Sequence, residues 1–174
     1  MKRILLVLAL GLLIGMNVHA QSKTTEITAK NSWLKLGANI GVPVGDIADF
    51  SNLTVGLELK GQLMETDHIR IGLTTGYNHY FVKNNQDDFG IIPLGGFVRV
   101  YPNPSGFFAG LDAGYSFVTG YDNAQGGVYL RPQLGYHNYD WNFFGFYNNV
   151  FRPDNDGGNI GSVGLGATYN IRFK

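Results

Sequence analysis

The C-terminal segment, residues 158–173, constrains the fold of this chain more than any other feature. From Val163 to Phe173 the odd positions are apolar, and the even positions are small or polar. A period of two over this length is typical of a β-strand with one apolar and one polar face. The segment also matches the roughly 9–11 residues that a tilted strand needs to cross a bilayer. The pattern predicts a membrane-spanning strand.

The same alternation recurs along the chain. Turn-forming residues separate the apolar and polar runs, so the sequence predicts eight strands. The seventh is the least regular, because aromatic residues fall on both of its faces. The predicted strands are 33–42, 53–62, 69–81, 92–100, 107–117, 128–136, 139–148 and 163–173.

The connections between these strands alternate in length. Strands 2 and 3, 4 and 5, and 6 and 7 are joined by short segments, whereas the other neighbours are joined by longer ones. Short turns at one end and longer loops at the other are typical of outer-membrane barrels, whose turns face the periplasm. The longer segments are predicted at 43–52, 83–90, 120–127 and 149–157.

The first twenty residues predict a secretory signal peptide. Lys2 and Arg3 precede an apolar run that ends near Met16, and Val18-His19-Ala20 supplies a cleavage site. The run is shorter than the roughly 17–25 residues of a transmembrane helix. We therefore expect a signal peptide at 1–20, a short lead-in at 21–32 and one barrel domain at 33–174.

Composition narrows the class further. Without Lys2 and Arg3, 11 basic residues face 13 acidic ones, and this net charge of −2 is no signature of nucleic-acid binding. The chain has no cysteine, which excludes disulfides and a lipid-modified N-terminal cysteine. A soluble, lipocalin-like barrel is the rival interpretation. The sequence favours a membrane barrel, because 15% charged residues would cover a soluble surface poorly.

Aromatic residues cluster near both predicted ends of the strands, as expected for the two membrane interfaces. One girdle is predicted at the turn end from Trp33, Tyr101, Phe107, Tyr136, Tyr139 and Phe173. The other is predicted at the loop end from Phe50, Phe81, Phe117, Tyr121 and Tyr147.

At this point the chain resembles the eight-stranded outer-membrane β-barrel domain family, often called the porin family, which includes OmpA- and OmpX-like barrels. The resemblance rests on Ile92-Pro93-Leu94, Val100-Tyr101-Pro102, Phe108-Ala109-Gly110 and the C-terminal strand. It implies that Gly166, Tyr169, Ile171 and Phe173 form the signal for the barrel-assembly machinery. The family is defined by fold and carries no catalytic residues to transfer.

Charged residues occupy strand positions that face the lumen, and we expect them to form an ion network there. Asp112 and Arg131 lie at similar height on neighbouring strands, so a contact between them is predicted, with Glu58 joining at that level. The full predicted set is Lys35, Glu58, Lys60, Arg70, Arg99, Asp112, Arg131 and Arg172. An eight-stranded barrel is just wide enough to be filled by side chains, so the first interpretation of this network is structural.

No residues indicate a metal site or catalysis. Asp154-Asn155-Asp156-Gly157 resembles the start of a calcium loop, but the required glutamate does not follow. His68 and His137 fall in turns, and His79 has no convincing nucleophile nearby in the sequence. We therefore expect no enzyme activity and no cofactor.

The sequence predicts an all-β, eight-stranded antiparallel barrel of the bacterial outer membrane, with a structural or surface-interaction role and acidic extracellular loops. A narrow channel for small ligands, or a component of an envelope or secretion assembly, are the alternatives. The expected partners are outer-membrane lipid, lipopolysaccharide and the barrel-assembly machinery, without nucleic acid. We expect a monomer.

Overall fold

A computed structural model describes residues 33–66, 68–83, 87–120, 124–138, 140–153 and 158–173. The predicted signal peptide and lead-in lie outside these ranges. Eight strands account for most of the described chain, and they follow one another in sequence. The strands are β1 (Leu34–Val44), β2 (Ser51–Glu65), β3 (Ile69–Val82), β4 (Phe89–Val100), β5 (Gly106–Thr119), β6 (Gly127–His137), β7 (Trp141–Phe151) and β8 (Ile160–Ile171).

The strands form one closed antiparallel barrel in sequence order, in which β1 pairs with both β2 and β8. The closing seam is continuous, and Ala38 lies opposite Ala167 near its middle. The predicted fold, an eight-stranded up-and-down barrel, is confirmed. Closure pairs the edge strands with each other, so the sheet has no free edge.

The two faces of the sheet have opposite chemistry. Leu57, Leu134 and Leu165 point outward and are 63%, 71% and 68% exposed. Inward neighbours such as Lys60 and Thr168 are completely buried. A lipocalin-like barrel would show the inverse arrangement, with an apolar interior and a polar exterior. The exposed apolar belt requires contact with lipid, and the barrel is therefore a transmembrane barrel.

At the end of the barrel with the longer connections, the strands extend further than their sequence patterns predict. β1 continues through Val44 and β7 through Phe151, so the loops predicted at these points are shorter. A 3-10 helix at Gly45–Asp49 joins β1 to β2. We call this side of the barrel the loop end and the opposite side, where β2 meets β3, the turn end. The chain begins and ends its strands at the turn end.

Three prolines, Pro43, Pro93 and Pro132, lie within strands, where they cannot donate a ladder hydrogen bond. Register pairs between β3 and β4 stop at Thr75–Leu94 and resume at Asn78–Ile91, on either side of Pro93. The Thr75 hydroxyl donates a hydrogen bond of 2.9 Å to the Pro93 carbonyl oxygen. A side chain thus satisfies a backbone acceptor where the ladder is interrupted. This is necessary in a bilayer, because lipid offers no hydrogen-bond partner to the backbone.

Within the described ranges, no helix has the length and apolar character required to span a membrane.

Candidate functional site in the barrel interior

The interior of the barrel holds the charged residues that alternation places inward. These residues are removed from solvent, with at most 6% of the residue surface exposed in each case. These buried residues are Lys35, Glu58, Lys60, Arg99, Asp112 and Arg131. Charges at this depth are costly unless they are paired and hydrogen-bonded, so their partners decide what the interior can do.

Two buried ion pairs cross the lumen. Lys60 on β2 pairs with Asp112 on β5, and Arg131 on β6 donates a hydrogen bond of 2.7 Å to Glu58 on β2. Gln133 donates a further hydrogen bond of 2.7 Å to the same Asp112 oxygen that Lys60 contacts. β2 therefore anchors both pairs from one side of the barrel.

The predicted contact between Asp112 and Arg131 does not have the expected form. The two residues are direct neighbours in the register of β5 and β6. Each of them nevertheless makes its ion pair with β2, Asp112 with Lys60 and Arg131 with Glu58. Pairing across the lumen replaces pairing between adjacent strands, because inward side chains converge on the barrel axis.

Aromatic rings separate the interior cations. The Arg99 guanidinium lies 5.0 Å from the ring centre of Phe108 and 5.3 Å from that of Phe144. The Arg131 guanidinium lies 4.0 Å from the ring centre of Phe146. The negative faces of these rings attract cations, which offsets part of the cost of burial. Arg99, with no exposed surface, also donates a hydrogen bond of 3.0 Å to Gln133.

An aromatic cluster closes the lumen toward the turn end. Its members pack against one another from the turn end up to Arg131, and we call them the turn-end plug: Tyr101, Phe108, Phe144 and Phe146. The Tyr101 hydroxyl donates to Asn142 at 3.1 Å, and the half-buried Arg70 lies over the Tyr101 ring at 4.5 Å. Tyr101 is thus an interior residue, and its predicted place in the girdle is wrong.

A second apolar cluster closes the lumen toward the loop end. We call it the loop-end plug: Tyr80, Phe89, Ile91, Tyr129, Val150 and Ile160. Ile47, from the 3-10 helix between β1 and β2, packs against this cluster. The connection folds back over the barrel mouth, where the Asp46 carboxylate accepts a hydrogen bond of 3.0 Å from the Asn159 backbone.

Side chains fill much of the interior between the two plugs. A cavity of about 10 Å³ lies beside the ion pairs, lined in part by Glu58, Asp112, Tyr129 and Arg131. Such a volume accommodates about one water molecule. Side chains therefore occupy the barrel as expected for eight strands.

Arg172 does not belong to this interior. It follows the last residue of β8, has 51% of its side chain exposed and pairs with Asp140 at the turn end. The prediction of a lumenal Arg172 is wrong, because the strand and its alternation end at Ile171.

The residues of the predicted assembly signal lie along the closing seam. Gly166 faces inward, and the Phe144 ring fills the space that a side chain there would take. Tyr169 faces outward and packs on Trp141, with ring centres 5.0 Å apart. Phe173 stacks on Trp33 with ring centres 5.2 Å apart, which brings the first and last described residues together.

The sequence analysis missed a polar chain on the outer surface at the loop end. The Tyr77 hydroxyl lies 3.2 Å from His79 Nδ1, and His79 Nε2 lies 3.0 Å from the Asp88 carboxylate. The other Asp88 oxygen accepts a hydrogen bond of 2.8 Å from the Val82 backbone. This hydrogen bond and the one to His79 hold the pKa of Asp88 below its usual value. Tyr77 and His79 are two positions apart, so alternation alone predicts their common face.

No cluster of three or more histidine, cysteine, aspartate or glutamate ligands occurs in the part of the chain that the structure describes. The calcium-like segment at 154–157 lies outside that part.

No protein-family model matches the chain. No curated protein sequence matches it either. Solved structures do. The crystal structure of Neisserial surface protein A (NspA) has a TM-score of 0.54 at 13% identity, over 80% of this chain and 98% of NspA.

The crystal structure of Ail, the attachment invasion locus protein of Yersinia pestis, has a TM-score of 0.52 at 14% identity, over 79% of this chain and 96% of Ail. The backbone structure of the outer membrane protein Ail in a phospholipid bilayer nanodisc has a TM-score of 0.46 at 12% identity, over 79% and 99% of the two chains.

The likeness to NspA and to the Ail crystal structure shows the fold of an eight-stranded outer-membrane barrel. The apolar belt of this chain independently requires a membrane. Fold and surface together define the class: the chain is a β-barrel protein of the bacterial outer membrane, as the sequence predicts.

Proposed function

We propose that this protein is a non-enzymatic outer-membrane barrel with a structural or surface-interaction role, and that its lumen conducts neither ions nor small ligands. The observation that carries the proposal is the filled interior. Two ion pairs cross the lumen between the turn-end plug and the loop-end plug, and the cavity beside them has a volume of only about 10 Å³. A hydrated ion needs a continuous path, and the two plugs with the ion pairs between them support a lumen without one.

Conductance of the purified protein in planar bilayers tests the sealed lumen. We expect no single-channel events, while a porin reconstituted in the same way gives steps. The double variant Arg131→Ala/Phe146→Ala removes a cation and its neighbouring ring from the middle of the lumen. It is measured beside the unmodified protein to find out whether a cavity made there opens a conducting path. Reproducible steps from the unmodified protein would support the narrow channel instead.

The loops are the part of the protein available to partners outside the cell. Asp49 and Asp87 lie in two connections at the loop end, and both are exposed. We propose that acidic loops of this kind approach lipopolysaccharide and bridge to its phosphates through divalent cations. Titration calorimetry with Mg²⁺ and lipopolysaccharide vesicles tests this contact. We expect a heat of binding that disappears when a chelator is added and that is smaller for the double variant Asp49→Asn/Asp87→Asn. A heat of binding that changes neither with the chelator nor in the double variant would contradict the proposed contact.

The remaining expectations concern orientation and biogenesis. We propose that the turn end faces the periplasm, that cleavage follows Ala20, that the barrel is monomeric, and that the closing strand is read by the barrel-assembly machinery. The Trp33–Phe173 stack supports the last point, because it places the terminal aromatic residue at the seam where a new barrel closes. Protease access to loops in intact cells, with mass spectrometry of the mature N-terminus, tests orientation and cleavage.

A further inference from the structure

Buried charged and polar side chains line the small cavity beside the two ion pairs. Four residues that line it are more than nine-tenths buried: Glu58, Asp112, Tyr129 and Arg131. Each carries buried polar atoms without a hydrogen-bond partner among the residues that the structure describes: Glu58 Oε1, Asp112 Oδ1, the Tyr129 hydroxyl, and Arg131 Nε and Nη2. Buried groups of this kind are costly unless a partner satisfies them.

The four residues differ in hydrogen-bonding character. The Glu58 and Asp112 oxygens accept hydrogen bonds, the Arg131 nitrogens donate them, and the Tyr129 hydroxyl can do both. A ligand that satisfies this set must therefore donate and accept at once.

Charge excludes the simple ions. A bound cation would lie beside Lys60 and Arg131, whose charges are already present in the network. A bound anion would approach the free carboxylate oxygens of Glu58 and Asp112. Either arrangement places like charges together in a poorly solvated interior, where repulsion is strongest.

We propose that this cavity binds a single water molecule, which accepts a hydrogen bond from Arg131 and donates to Glu58 and Asp112. The volume of about 10 Å³ fits one water, and three or four polar partners are what a buried water requires. The water joins the Lys60–Asp112 pair to the Arg131–Glu58 pair, so the four charged side chains form one network. This inference rests on the fold and does not depend on the proposed role at the cell surface.

A crystal structure at a resolution that shows ordered water, with rubidium chloride and sodium bromide soaks, tests the proposal. We expect one density peak within hydrogen-bond distance of Glu58 Oε1, Asp112 Oδ1 and Arg131 Nη2, without anomalous signal from rubidium or bromide. Anomalous signal at the peak would show an ion and overturn the proposal. A well-ordered interior without a peak would overturn it too.

A solution measurement provides a second test. Oxygen-17 relaxation dispersion counts long-lived internal waters in the detergent-solubilised barrel. Ser162 lines the cavity, and Ser162→Thr adds one methyl group while keeping the hydroxyl that Tyr80 contacts. We expect this variant to lose one long-lived water. The control Ser51→Thr, at a buried serine at the start of β2 that does not line the cavity, keeps the full number. Equal numbers in both variants would contradict the site.

Discussion

Arg131 and Glu58 form a hydrogen bond of 2.7 Å between β6 and β2, which lie four strands apart in either direction around the barrel. The bond therefore spans the lumen between opposite walls. A second pair, Lys60 with Asp112, crosses from β2 to β5 beside it. Such bridges fix the width of the barrel from within and occupy the space through which a solute would pass.

The first prediction concerns the buried pair of Lys60 and Asp112. Asp112→Ala leaves Lys60 buried without its counter-ion, so we expect the free energy of unfolding to fall by about 3–5 kcal/mol. Urea unfolding in lipid vesicles, followed by tryptophan fluorescence, measures this change. The control Asp140→Ala breaks the exposed pair with Arg172 and should cost no more than about 1 kcal/mol. Equal losses in both variants would contradict a special role for the interior pair.

The second prediction separates the two faces of β7. Phe144 faces inward, 5.3 Å from Arg99 and 5.7 Å from Arg131, whereas Phe143 faces lipid. Phe144→Ala should lower the free energy of unfolding by about 3–5 kcal/mol, because it opens a cavity and removes a ring between two cations. Phe143→Ala serves as the matched control and should cost clearly less, since lipid chains can fill the space. The same unfolding assay compares them, and a larger effect at Phe143 would show that the faces are misassigned.

The third prediction concerns close packing at the closing seam. A Cβ atom on Gly37 would lie 2.5 Å from the Ala167 carbonyl oxygen on β8, which is closer than such atoms approach. Gly37→Ala should therefore destabilise the barrel by about 1–3 kcal/mol. Gly145 on β7 has its nearest neighbour at 3.8 Å, so Gly145→Ala should leave stability nearly unchanged. Samples of both variants are heated to a series of temperatures and run on cold SDS gels, on which folded and unfolded barrels migrate differently. The temperature at which the folded band disappears compares the stability of the two variants.

The fourth prediction concerns pH and the loop end. Hydrogen bonds from the Val82 backbone and His79 stabilise the charged form of Asp88, so its pKa is lower in the folded protein. The resulting stabilisation is complete above the unfolded pKa of about 3.9 and is lost as pH falls through the folded pKa. Asp88→Asn should therefore be less stable than the unmodified protein at pH 7, with the difference vanishing in acid.

The fifth prediction addresses the aromatic stack at the seam. Phe173→Ala removes the contact with Trp33. We expect the free energy of unfolding to fall by about 1 kcal/mol and the yield of inserted barrel to be lower. Phe107→Ala is the control, because Phe107 is also an outward aromatic residue at the turn end and is 77% exposed. Quantitative immunoblots of membrane fractions measure insertion. Similar yields from both variants would argue against a special role for the terminal residue.

Strand order and strand faces could be predicted from the sequence, because a period of two is a local property. The inward positions of Glu58, Lys60, Asp112 and Arg131 follow from it directly. Their pairing could not be predicted in the same way. Which inward side chains meet across the lumen depends on strand tilt and stagger, and neither is encoded in any single strand.

The ends of the strands were also harder to predict than their centres. Tyr101 and Arg172 both lie just beyond a strand, where alternation no longer fixes direction. Tyr101 turns into the lumen and Arg172 turns away from it. In contrast, the mixed pattern of the seventh strand has a simple cause: Phe144 and Phe146 fill the interior, while Phe143 and Tyr147 face lipid.

The loop-end plug has a practical consequence for engineering. The six residues of this plug all belong to strands, so the seal that they form is built from the barrel wall. If the loop end faces outward as proposed, foreign peptides grafted between β3 and β4 or between β5 and β6 should be displayed on the bacterial surface without making the envelope leaky. The connection that carries Ile47 is the one to leave untouched.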